Sequence, residues 1–259
     1  MTEPSGIRYR FEGVKPVSGG RVEVTFTNRG RATHEIQLLR VDGTHPQSEV
    51  LNALQRRITG QNQPLAAYLH PAGGVSDVKP GQTAKATMVL APGKYVAVDT
   101  GAPAQTETTP RYFTQGAFKA FEVKGGNSSD SLPQARQTVT IRDTPGAGFA
   151  FGNPPSIKAG RTTLQLDNQS TQAFHQVTIA PISPGKTLAD VQKALGGSGQ
   201  PPVNFDAGVS TAVIEPDKLV ADVNIPRAGN YVMLCLVSDR DGKGPPHYGK
   251  GLLKEVKVS

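Results

Sequence analysis

Apolar and polar residues alternate over residues 21–27, with Val22, Val24 and Phe26 on one face and Glu23 and Thr25 on the other. A period of two is the signature of a half-buried β-strand. A polar turn led by Asn28 follows, then His34, then a second alternating stretch in which Ile36 and Leu38 share a face. Residues 161–182 repeat this order. Leu164 and Leu166 share a face, Asn168 opens a polar turn, His175 follows, and Val177 and Ile179 alternate beyond it.

The parallel runs on along both halves. Residues 48–58 have the spacing of one short amphipathic helix with Ser48 as its N-cap, and residues 187–195 that of another with Thr187 as N-cap. Asp190 stands three residues after Thr187, and Gly196 follows the last turn, a start and a stop signal together. Lys79-Pro80-Gly81 and Glu215-Pro216-Asp217 then predict turns that lead into further strands. Gly93-Lys94-Tyr95-Val96 matches Gly229-Asn230-Tyr231-Val232. Each half closes on a strand, residues 116–123 and 251–258. Residues 124–133 are rich in Gly and Ser and read as a linker.

Composition agrees with many short strands. Among 259 residues there are 29 glycines and 21 prolines, about a fifth of the chain, which favours turns over long helices. The length suits two domains of ordinary size. The net charge of +7 is spread over both halves, and Arg56–Arg57 is the only adjacent basic pair. With no basic stripe and no Trp, nucleic acid is not an expected partner. No run approaches the roughly 18 apolar residues of a membrane span. The first residues, Met1-Thr2-Glu3-Pro4-Ser5-Gly6, hold no apolar signal segment and read as a polar lead-in.

The chain has a single cysteine, so no internal disulfide forms. Cys235 ends the apolar strand after Tyr231. His247 lies in the Gly- and Pro-rich stretch that follows, and His175 precedes a strand in the same half. One thiolate and two imidazoles form the donor set of a trigonal copper site with a weak axial ligand. A buried cysteine acting only as a small apolar residue is the competing reading.

These residues resemble the cupredoxin-like family, in which one His comes from an upstream strand and Cys, His and Met follow in order from one loop. The resemblance covers both halves and implies an all-β chain of two cupredoxin-like Greek-key β-sandwich domains, each with one short helix. It assigns 1–124 to a degenerate domain, 125–136 to a linker and 137–259 to a domain with a His-Cys-His site. Residue by residue, it implies His175, Cys235 and His247 as metal ligands, with Leu252 at the non-ligating axial position. In the first half His34 is kept, but Asp99 stands at the Cys position, Tyr112 at the second His and Ala117 at the axial position. No copper centre is expected there. The closing Pro-His-x-x-x-Gly pattern also resembles exported actinobacterial proteins.

Other residues are expected to be structural: His34 a satisfied strand-end histidine, His45 and His70 in loops beside prolines, Asp239 and Asp241 turn formers, and Tyr95 and Tyr231 core residues whose hydroxyls need partners. No Gly-x-Ser-x-Gly, phosphate loop, His-Glu-x-x-His or His-x-His occurs, which leaves hydrolase, nucleotide and multicopper oxidase chemistry without motifs. A Cys-His hydrolase built on Cys235 and His247 lacks a visible oxyanion hole. The expectation is a non-enzymatic, extracytoplasmic or secreted protein whose leader lies outside this sequence. It either binds copper and exchanges electrons with a protein or redox partner, or is a metal-free binding or scaffold module of the cell envelope.

Overall fold

A computed structural model describes residues 9–60, 63–103, 109–127, 129–152, 157–197 and 199–259. The polar lead-in at residues 1–6 and Ser128 of the expected linker lie outside them. The chain forms two compact units, one running to Leu132 and including Arg240–Lys243, the other comprising Pro133–Asp239 and Gly244–Ser259. Both are built from short strands with, among the described residues, one α-helix each, as expected of an all-β chain of two domains.

In the first domain the strands are β1 (Val17–Thr27), β2 (His34–Val41), β3 (Leu69–Val78), β4 (Thr83–Leu90), β5 (Gly93–Val98) and β6 (Phe118–Gly126), with helix α1 (Gln47–Thr59) between β2 and β3. β1 pairs antiparallel with β4 and, through its first residues, parallel with β6. β2 lies between β3 and β5, and β5 pairs with β6. The core takes Ile36 and Leu38 from β2, Tyr95 and Val98 from β5, and Val50, Ala53 and Leu54 from α1.

Three expectations are corrected here. α1 starts at Gln47 after Pro46, with Glu49 N and Val50 N bonded to Pro46 O. Ser48 is therefore inside the first turn and caps nothing. His70 is a strand residue of β3, because register shifts opposite β2 accommodate Pro71 and the following glycines. Residues 124–126 continue β6 beside Ser18 and Gly19 and are ladder, not linker.

The second domain has β7 (Gln137–Thr144), β8 (Gly148–Phe151), β9 (Gly160–Asn168), β10 (Thr178–Pro181), helix α2 (Leu188–Leu195), β11 (Val209–Ser210), β12 (Lys218–Ile225), β13 (Gly229–Leu234) and β14 (Leu253–Val258). β9 joins β12 antiparallel and β7 parallel, and β7 pairs with β8. β13 lies between β10 and β14, with β11 beyond β10. The alternation read at Leu164 and Leu166 buries both. α2 carries the capping box its sequence promised: Asp190 N donates to Thr187 Oγ1, and Thr187 N to Asp190 Oδ2. Its Val191 packs on Ile182, Val232 and Leu234, the last immediately before Cys235. No helix among the described residues is long and apolar enough to cross a membrane.

Candidate metal centre

Three local devices bring His175, Cys235 and His247 together. The first is the turn before His175. Asn168 Nδ2 donates to Ala173 O (2.9 Å) and Ile214 O (3.1 Å), and its Oδ1 accepts from Ser170 N. His175 then bridges to Ile214 through both backbone groups. The second is β13, whose buried run Tyr231–Leu234 delivers Cys235 at its end, with the Tyr231 hydroxyl bonded to Arg227 O at 2.8 Å. The third is a short 3-10 turn, His247–Lys250, closed by Gly251 at φ 109°. A Cβ on Gly251 would stand 2.2 Å from Phe149 O, so the turn requires glycine both for its backbone and for this approach.

Backbone hydrogen bonds lock the turn to the strand end. Cys235 N donates to Leu252 O (3.1 Å), Leu252 N to His247 O (3.0 Å) and Tyr248 N to Cys235 O (2.9 Å). The side chains converge within this frame. Cys235 Sγ lies 3.6 Å from His175 Nδ1 and 3.7 Å from His247 Nδ1, and the two nitrogens are 3.0 Å apart. All three residues, and Leu252, have no exposed surface. The structure thus brings together the three residues that the sequence singles out as candidate ligands. Among the described residues this is the one group of His, Cys, Asp and Glu with such mutual distances.

The arrangement suits a cation. Separations of 3.0–3.7 Å are those produced by nitrogen bonds of about 2.0 Å and a sulfur bond of about 2.3 Å to one centre. Burial pushes the Cys235 thiol up to about 12, although the amides of Gln176 and Val237 point toward the sulfur and work against it. Burial, with His247 beside it, brings His175 down to about 3, against the pull of Asp239. At neutral pH the protein alone therefore holds a protonated thiol beside a neutral imidazole. A thiolate here needs a metal ion to replace its proton.

Two contributors were not foreseen. The Phe149 ring stands against both imidazoles, with centroids 4.6 Å from His175 and 4.7 Å from His247. Asp239, expected only to shape a turn, accepts from His247 Nε2 at 3.0 Å and from Lys250 Nζ. Burial raises the Asp239 pKa, but the Lys250 and His247 bonds outweigh it and hold the carboxyl below its ordinary value. Asp241 does form the expected turn, accepting from Lys243 N at 2.9 Å.

The first domain has the same frame around different side chains. Asp99 N bonds to Ala117 O, Ala117 N to Tyr112 O and Phe113 N to Asp99 O, each at 3.0 Å. Gly116 repeats Gly251, again at φ 109°, with its Cβ position 2.2 Å from Tyr9 O. Asn28 repeats Asn168 by bonding Ala32 O and Val78 O. Asp99, Tyr112 and Ala117 thus occupy the positions of Cys235, His247 and Leu252. His34 Nδ1 is bound at 2.6 Å by Asp99 Oδ2, and both side chains are buried. The expected satisfied histidine is confirmed, and no metal ligand cluster is found here among the described residues.

No protein-family model matches the chain, and no curated protein matches it in sequence. Several solved structures bear a limited likeness to the chain. A multicopper oxidase is 14% identical over 97% of this chain and 79% of its own, with a TM-score of 0.28. A dithionite-reduced auracyanin from Roseiflexus castenholzii is 21% identical over 49% of this chain and 99% of its own, with a TM-score of 0.30. Auracyanin A from Chloroflexus aurantiacus, a "blue" copper protein, is 18% identical over 47% of this chain and 98% of its own, with a TM-score of 0.31.

Proposed function

We propose that the chain is a non-enzymatic, exported tandem cupredoxin-like protein whose second domain binds copper, and that the first domain is a metal-free structural or partner-binding copy. The observation that carries this reading is the convergence of His175 Nδ1, Cys235 Sγ and His247 Nδ1 within 3.0–3.7 Å in a fully buried centre. A copper ion held there would supply one-electron exchange with a redox partner. The chain's own residues supply a soft thiolate, two imidazoles, an aromatic wall from Phe149, and exclusion of water. A thiolate with two imidazoles suits copper in either oxidation state, and zinc competes for the same donors.

The test is a titration of the reduced, metal-free protein with Cu(II), Cu(I) and Zn(II). Cu(II) should produce intense visible thiolate absorption at one ion per chain, and Cys235→Ser should abolish it entirely. Leu252→Met adds a thioether and should lower the reduction potential. A chain that binds neither copper ion nor zinc would leave the metal-free scaffold as its function.

A further inference from the structure

The two imidazoles of the centre are treated differently on their outer sides. His247 Nε2 lies 3.0 Å from Asp239 Oδ1. An ionised carboxylate only accepts hydrogen bonds, so the proton of this contact belongs to Nε2. A neutral imidazole carries one proton, and His247 Nδ1 is then left with its lone pair facing Cys235 Sγ and His175 Nδ1. Asp239 is itself held, because Lys250 Nζ donates to its other oxygen from the 3-10 turn that carries His247. One loop thus supplies Cys235, His247 and the carboxylate behind His247. His175 has no such support: its Nε2 is buried with no hydrogen-bond partner among the described residues.

We propose that Asp239 is a positioning residue of the centre, which fixes His247 as its Nε2–H tautomer and covers the outer edge of that ring, so that Nδ1 is ready to ligate before an ion arrives. Its use rests on the copper reading above, but the tautomer is a property of the metal-free chain. Carboxylate partners behind ligating histidines set ring orientation and ligand basicity, and losing one typically lowers metal affinity 10- to 100-fold. His247 is fully buried and presents no exposed ring edge to a partner.

Long-range ¹H–¹⁵N spectra of the metal-free, full-length protein test this directly. His247 should carry its proton on Nε2, Asp239→Leu should shift it toward the Nδ1–H form, and Asp239→Asn, which retains an acceptor oxygen, should preserve the wild-type tautomer. Competition for Cu(I) against a chromophoric chelator should show a 10- to 100-fold loss in Asp239→Leu and recovery of most of it in Asp239→Asn. Lys250→Met frees the carboxylate without removing it and should give a smaller loss, which guards against a folding defect in the leucine variant. A wild-type His247 protonated on Nδ1, or an Asp239→Leu variant with unchanged tautomer and unchanged affinity, overturns the proposal. If the wild type binds no copper but loses the Nε2–H tautomer in Asp239→Leu, the positioning role stands and the copper reading fails.

Discussion

The two domains hold the same backbone frame around centres of opposite chemistry. Three backbone hydrogen bonds, a glycine at φ 109° and an asparagine-anchored turn recur in both. In the first domain a carboxylate stands where the second has a thiol, and it bonds His34 Nδ1 directly. In the second domain the carboxylate, Asp239, stands behind the ring and bonds Nε2, leaving Nδ1 turned inward. A carboxylate on Nδ1 satisfies the imidazole and closes the centre. A carboxylate on Nε2 orients the imidazole and leaves the centre with donors for a cation. The aromatic wall survives in both: Tyr9 packs on His34 and Tyr112 as Phe149 packs on His175 and His247. The same frame therefore encloses two different sets of side chains.

This comparison breaks most visibly at Asp99. Its carboxylate accepts from Gly101 N at 3.0 Å as well as pairing with His34. Asp99→Ala leaves a buried imidazole and an amide without partners, and should destabilise the first domain by about 3 kcal/mol. Native-state hydrogen exchange of the full chain measures this through the β5 amides of Val96 and Ala97, with Val232 and Met233 of β13 as the unaffected reference. Replacing His34 and Asp99 together by apolar residues should recover much of the loss, because no unpaired polar ring remains. If Asp99→Ala costs nothing, the pair does not substitute for a metal centre.

The contrast between the centres was partly visible in the sequence. His175, Cys235 and His247 stand out because each is rare in this chain and each sits at a fixed offset from a strand or turn signal. Asp99, Tyr112 and Ala117 followed by matching the halves, since Gly-x-Tyr sets the register of β5 and β13 alike. Asp239 was hidden because Ser238-Asp239-Arg240-Asp241-Gly242 is ordinary turn composition, and only the fold decides which of its two carboxylates turns inward. Phe149 and Tyr9 were equally hidden, for they approach the centres from distant segments with no shared local pattern. β3 escaped because Pro71, Gly73 and Gly74 read as loop, whereas its bulges against β2 accommodate them.

A second difference concerns pH. Glu35, beside His34 in β2, accepts from Thr100 N at 3.2 Å and from the Thr100 hydroxyl. Burial, and then the Asp99 carboxylate, raise it from an ordinary 4.5 to about 7, against the Thr100 bonds. The folded domain therefore keeps a proton that the unfolded chain has released. The resulting stability is fully present below pH 4.5 and declines as pH rises toward 7. Glu35 retains some solvent contact, so the change should be roughly 1–2 kcal/mol. Urea titrations at pH 5 and pH 7.5, read at the methyl groups of Val96 and Val98, should show the decline, and Glu35→Gln should flatten it. The second domain has Gln176 after its histidine and should lack this component. An equal decline in Glu35→Gln would assign the pH effect elsewhere.

The smallest expected effect separates the two helices. Both follow the second strand of their half, and the sequence offers Ser48 and Thr187 alike as N-capping hydroxyls. The structure makes them different. Thr187 has extended backbone angles and its side chain accepts from Asp190 N, while Asp190 reaches back to Thr187 N. Ser48 lies inside a helix that begins at Gln47 behind Pro46 and has no side-chain cap. Thr187→Ala should therefore cost about 1 kcal/mol, the usual loss of a capping hydroxyl, and Ser48→Ala should cost a few tenths or nothing because alanine is a better helix former. Denaturation of the two variants, read at Val191 for α2 and at Ala53 for α1, compares them in one chain. Equal losses would place Ser48 at a true cap and return α1 to the start that its sequence predicts.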